Sequence, residues 1–156
     1  MPRLAASLLA CLAVLIAPPA RAEDEAPAHH GHHRNHVAVA VGATHVADAT
    51  GPTLGADLET RLAPWLGIVV LVDAARLHAT THVLAATGVA VHPWRGWSVM
   101  AGVGWEHAAE HDAVAVRAAT GYAVHLGPAS IGPTVAVDRA AGETAVVGAV
   151  AVGAGF

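Results

Sequence analysis

The chain has one cysteine, Cys11, and no lysine. Cys11 sits in an opening stretch that reads as an export signal. MPRLAASLLACLAVLIAPPARA starts basic with Arg3, runs through an apolar core from Leu4 to Ala17, and ends on the small-residue cleavage site Ala20-Arg21-Ala22. Leu8-Leu9-Ala10-Cys11 loosely fits a lipobox, but the apolar run continues well past Cys11 and argues for simple cleavage after Ala22. A mature chain starting at Glu23 then has no thiol, which excludes cysteine nucleophiles, cysteine zinc sites and disulfides. Without Arg3 and Arg21, 6 arginines face 12 carboxylates, a net charge of −6 with histidine neutral. An acidic chain without lysine is a poor nucleic-acid binder.

Long apolar runs are also missing. After residue 22 no apolar run, LGIVVLV at Leu66 to Val72 and AVVGAVAVGAGF at Ala145 to Phe156 included, reaches the roughly 20 residues of a spanning helix. Yet 54% of the residues are hydrophobic and only 13% are charged. So apolar a chain must bury a large core in water or lie in lipid as a closed sheet, because hydrocarbon admits only helices and closed barrels.

What is present is alternation. Counting back from the last residue of ETAVVGAVAVGAGF, Phe156, Ala154, Val152, Val150, Gly148 and Val146 share one side of an extended strand, and Gly155, Gly153, Ala151, Ala149 and Val147 share the other. No polar face exists. A larger apolar side and a side of tiny residues fit a strand with lipid outside and a narrow barrel within.

Seven more segments precede it from His36 onward. His36 to His45 places Val37, Val39 and Val41 together and is expected to turn over Asp48 to Pro52. Thr53 to Leu62 sends Leu54, Ala56, Leu58 and Leu62 one way and Asp57, Glu59 and Arg61 the other. Trp65 to Ala75 puts Leu66, Ile68, Val70 and Val72 outside and Asp73 inside. Thr81 to His92 puts Val83, Ala85, Val89 and Val91 outside, with His82, Gly88 and His92 inside. Trp97 to His107 sends Trp97, Val99, Val103 and Trp105 out and Gly102, Gly104 and Glu106 in. Ala113 to Leu126 sends Val114, Val116, Tyr122 and Val124 out and Arg117, Gly121 and His125 in. Ser130 to Arg139 sends Ile131, Val135 and Val137 out and Asp138 in. The pattern predicts an all-β, eight-stranded antiparallel up-and-down transmembrane β-barrel over residues 36–156, after a signal peptide over 1–22 and a disordered His-rich periplasmic tail over 23–35. Trp65, Trp94, Trp97 and Phe156 are expected to girdle the periplasmic end, and Trp105 the other.

The lead into HHRNHVAVAVGATH, the segment TLGADLETRL, the run VAVHPWRGW with AGVGWEH, and the closing AVVGAVAVGAGF together resemble small bacterial outer-membrane β-barrel proteins. More narrowly they are similar to an uncharacterised porin-like group with a His-rich mature start. The resemblance implies a Gram-negative outer membrane, contact with its lipid, and recognition of the last strand, ending in Phe156, by the barrel-assembly machinery. It brings no established activity.

Three groups of residues are candidates for chemistry. His29, His30, His32, His33 and His36 are five imidazoles within eight residues, able to hold zinc, nickel or copper, or to serve as a polar tail that picks up metal opportunistically. His45, His78, His82, His107 and His111, with Asp48, Glu106, Glu110 and Asp112, fall near the outer rim and read mainly as solvated loop histidines. Asp57, Glu59, Arg61, Asp73, Glu106, Arg117, His125 and Asp138, with His82 and His92, point inward and are expected to form an ion-pair and hydrogen-bond ladder. Ser98 and Ser130 sit in no hydrolase motif, so the chain reads as non-enzymatic. The expected function is a structural or envelope-associated outer-membrane barrel with weak divalent-metal binding by the tail. A narrow channel for protons, metal ions or small solutes is the alternative, and a lipid-modifying enzyme comes third.

Overall fold

The computed structural model describes residues 34–109 and 111–156. The predicted signal peptide and nearly all of the His-rich tail lie outside the described residues. Nine antiparallel segments follow in order: β1 (Asn35–Val46), β2 (Ala49–Ala63), β3 (Leu66–Leu77), β4 (Thr80–Val91), β5 (Trp97–Ala108), β6 (His111–Tyr122), β7 (Val124–Leu126), β8 (Ala129–Ala140) and β9 (Glu143–Gly155). Both β6 and β7 pair with β8, β8 pairs with β9, and β9 pairs with β1. The segments therefore form eight staves of one closed barrel, the sixth being β6 and β7 in series.

The break in that stave has a local cause. Pro133, which has no N–H to donate, stands where the ladder between β6 and β8 lapses, between Gly121↔Thr134 and Val124↔Ile131. The free Ala123 N–H turns away and donates to the Gly96 carbonyl at 2.7 Å. Gly96 holds a left-handed φ of 76°, which its missing Cβ allows.

The register fixes the barrel's geometry. Cross-strand partners lead from His36 through Glu59, Val69, Gly88, Gly102, Arg117, Asp138 and Ala145 back to Val46. One circuit thus advances the register from His36 to Val46, a shear of ten residues. Eight strands with that shear tilt by about 40° and close at a backbone radius of about 8 Å, so a strand of a dozen residues rises about 30 Å. That height matches a bilayer's hydrocarbon core.

The alternating faces fall where the sequence pattern puts them. Val37, Val39, Val41, Leu54, Val70, Val103, Val114, Val135 and Val150 are among the large apolar side chains exposed on the outside; Val41 and Val114 each keep 63% of their surface accessible. In water, so many exposed apolar side chains would forgo about 25 cal/mol per Å² each. Inside, Val69, Leu71, Leu84, Ala86, Ala90, Met100, Ala115 and Ala140 pack as the core. The lumen thus holds larger apolar side chains beside the small and charged ones. Strand β3 hid this, because LGIVVLV is apolar at every position but its glycine.

Two-residue turns occur at both ends of the barrel: Pro64-Trp65 and Gly127-Pro128 at one, where residues 92–96 make a longer link between β4 and β5, and Ala47-Asp48, His78-Ala79 and Ala141-Gly142 at the other. The expected turn over Asp48 to Pro52 is shorter than predicted: β2 begins at Ala49, and Pro52 pairs with Ala43 while the ladder to β3 starts only at Thr53↔Ala75. Ala47, His78, Ala109 and Ala141 each adopt a left-handed φ near 50° at these turns. The chain termini meet at the opposite end, where Asn35 and Phe156 exchange backbone hydrogen bonds of 3.0 and 2.9 Å.

Candidate functional site: the lumen and the hairpin rim

The lumenal charges form ion pairs and hydrogen bonds divided among separate groups. Nearest the termini, Glu59 on β2 accepts from His92 Nε2 at 2.7 Å and pairs with Arg61 Nε at 3.3 Å. Arg61 also donates to the Pro64 carbonyl at 3.3 Å and reaches His92 Nδ1 at 3.4 Å, tying the β2–β3 turn to the group. Farther along the lumen, Arg117 on β6 clasps Asp138 on β8 with Nε to Oδ1 at 2.6 Å and Nη2 to Oδ2 at 2.7 Å, and its Nη1 binds Asp73 on β3. At the hairpin end His82 Nδ1 meets Glu106 Oε1 at 2.8 Å.

The central clamp closes by register. Arg117 and Asp138 are direct cross-strand partners, whereas Asp73 lies across the lumen, so one guanidinium ties three staves together. Its fork geometry matches two carboxylates, which a lysine could not do. Arg117 and Asp138 are buried to 5% and 6% exposure, so the charges are compensated where solvation is poor.

Between the clamp and the Glu59 group lies a cavity of about 150 Å³ lined by Ala40, Asp57, Val69, Leu71, Ser98 and Met100 among others. Asp57 opens onto it and, like His125, makes no side-chain hydrogen bond or ion pair among the described residues. The sequence grouped both with the charge network; the structure leaves them apart from it.

Of the five histidines expected to hold metal, His29, His30, His32 and His33 lie outside the described residues. His36 belongs to β1, not to the tail, and its Nε2 is 2.8 Å from Ser130 Oγ. The same bond gives Ser130 a histidine neighbour. No carboxylate is hydrogen-bonded to the other His36 nitrogen among the described residues, so the pair lacks the orienting acid of a hydrolytic triad. The same residues contain no cluster of three or more metal-ligating side chains.

At the rim, the outer histidines separate. His82 turns inward to Glu106, while His107 faces outward and bonds Asp112 Oδ1 at 2.7 Å. His45 Nδ1 meets Thr50 Oγ1 at 2.8 Å on the outside of β1 and β2. Glu110 lies outside the described residues.

A feature that the sequence reading missed emerges from the register. Four outward cross-strand pairs, His45 with Thr50, Arg76 with Thr81, His107 with Asp112 and Arg139 with Thr144, each straddle a hairpin turn five residues apart. The signal was a histidine or arginine followed five residues later by Thr or Asp, recurring at 45, 76, 107 and 139, steps of 31, 31 and 32 residues. Strand-by-strand alternation does not expose a repeat whose unit is the hairpin.

Aromatic residues gather at the other end. Trp97 stands edge-on to Trp94 at 6.5 Å and to Tyr122 at 6.3 Å, with Trp65 and Phe156 exposed near the same rim. Trp105 is the one aromatic on the hairpin half of the barrel.

No protein-family model matches the chain, and no curated protein matches it. Among solved structures it is similar to a de novo designed transmembrane β-barrel, 13% identical with a TM-score of 0.57, over 76% of this chain and 94% of that one. It is also similar to neisserial surface protein A, NspA, 11% identical with a TM-score of 0.58, over 78% of this chain and 96% of that one. The N-terminal β-barrel domain of Pseudomonas aeruginosa OprF is 11% identical with a TM-score of 0.53, over 80% of this chain and 99% of that domain. At these identities the likeness is one of fold: a closed, eight-stranded antiparallel barrel similar to transmembrane barrels.

Proposed function

We infer that this chain is an outer-membrane β-barrel protein with a structural, envelope-associated role, its termini in the periplasm and the turns at Ala47-Asp48, His78-Ala79 and Ala141-Gly142 facing outward. The observation that carries the inference is the inversion of faces: Val and Leu side chains are exposed around the barrel while Arg117, Asp138 and Glu59 are buried inside it. Hydrocarbon solvates such an exterior and water does not. The last strand, ending on Phe156 and paired along β1, is the segment that assembly machinery would engage.

A lumen largely filled by its own side chains favours the structural role over conduction. The Arg117 clamp and the Glu59 group line the central cavity, and Leu71, Leu84 and Met100 pack inside the barrel, so side chains occupy much of the space that a wide conduction path would need. The outer turns at Ala47-Asp48, His78-Ala79 and Ala141-Gly142 have two residues each, too short to project a recognition surface.

Planar-bilayer recording tests this directly. The wild-type barrel is expected to be silent, and a steady current abolished in D73N/E106Q would establish the channel reading instead. Weak metal handling by the lead belongs to the proposal on imidazole chemistry alone. Zinc, nickel and copper titrations with and without residues 23–33 test it; equal affinities would remove the tail from the account.

A further inference from the structure

The four outward rim residues occupy one level of the barrel. Because the register advances ten residues per circuit, a constant level falls behind the hydrogen-bonded register by about 1.25 residues per strand. Starting from His45, that level crosses β3 near position ~75.5, β5 near ~106 and β8 near ~139.5. Arg76, His107 and Arg139 each lie within about one residue of it. They stand on every second stave, arginine opposite arginine and histidine opposite histidine.

All four are exposed and directed away from the lumen. Arg76 Nη1 donates to Thr81 Oγ1 at 3.3 Å and Arg139 Nη1 touches Thr144 Oγ1 at 3.5 Å, and neither guanidinium forms an ion pair among the described residues. His107 is partly answered by Asp112, and Asp48, Glu143 and the inward-facing Glu106, which is held by His82, are the other described carboxylates at this end. Directly below the collar the surface becomes apolar, with Val72, Val103, Val114, Val137 and Val146 exposed.

Cationic forks just above an acyl-chain surface match one chemistry: a phosphate attached to a lipid. Resting on the outer-membrane reading, we propose that this collar binds the phosphorylated saccharide headgroups of outer-leaflet glycolipid, with Arg76 and Arg139 as the principal phosphate contacts and His45 and His107 as secondary donors. Arginine suits the role because its planar donors meet phosphate oxygens two at a time. Facing outward, the side chains need no loop to reach the headgroups.

The test uses the folded mature protein in neutral detergent micelles, titrated with bisphosphorylated lipid A and read by native mass spectrometry. Wild type is expected to retain lipid A. Each arginine removed should weaken binding about fivefold, so that R76Q/R139Q loses about 25-fold. R95Q, which alters an arginine at the opposite rim, should leave binding unchanged, and R76K/R139K should recover part of the loss. Dephosphorylated lipid A should bind wild type weakly, and inorganic phosphate should not displace the phosphorylated form. Equal binding of dephosphorylated lipid, an equal loss in R95Q, or displacement by inorganic phosphate would each overturn the proposal, and the first and last need no variant to fold. Absence of heat-modifiable gel migration in wild type would instead remove the outer-membrane reading beneath it.

Discussion

Replacing Arg117 with methionine isolates the lumenal clamp. Methionine keeps much of the side-chain length and removes the cation, leaving Asp73 and Asp138 facing the lumen without their partner. Three charge-assisted hydrogen bonds disappear, at about 1.5–3 kcal/mol each before compensation. The clamp borders the central cavity, and Asp73 retains 18% side-chain exposure, so water offsets part of the loss. Breaking one partner out of a buried ionic group then costs about 3–5 kcal/mol, or roughly two to three and a half decades in the unfolding equilibrium. The assay is urea unfolding in lipid vesicles, followed by tryptophan fluorescence. Neutralising the whole group in D73N/R117M/D138N should recover most of the loss, because no uncompensated charge remains enclosed. An R117M barrel within about 1 kcal/mol of wild type, or a triple variant no better than R117M, would refute the reasoning.

On the outer face, V70R at mid-strand should destabilise the folded barrel by about 2–4 kcal/mol, whereas T81R at the hairpin rim should cost about 0–1 kcal/mol. Equal costs in vesicle unfolding would mean that the two positions share one solvent. At the turns, Ala47 holds a left-handed φ of 52°, a conformation costing an L-residue about 1–2 kcal/mol. A47G should therefore raise stability by up to about 1 kcal/mol, while A49G, in the adjoining strand, should lower it; the urea midpoints give the sign.

The faces were legible because period two leaves no ambiguity where Val alternates with Gly, Ala or a charged residue. Asp57, Glu59 and Arg61 against Leu54, Leu58 and Leu62 is such a case, and a slip of one residue would invert every position. Strand β3 resisted, since inside and outside are both apolar in LGIVVLV. Turn limits were obscured by Pro52, which a sequence pattern reads as a breaker although a proline can sit where a strand's ladder on one side has not begun. The lumenal residues could be listed from parity, but not their grouping: the tilt that brings Arg117 to Asp138 and Asp73, while leaving Asp57 aside, follows from the shear of the whole circuit. The rim collar was hidden for the same reason, because residues 31 or 32 positions apart become a ring only after closure.

Sedimentation velocity on the refolded mature chain, first in detergent micelles and then after detergent removal, addresses the inverted faces most directly. The account predicts a monodisperse species in micelles that aggregates when the detergent is withdrawn, because the Val- and Leu-bearing exterior then meets water. A stable, monodisperse, β-structured monomer in plain buffer would contradict it.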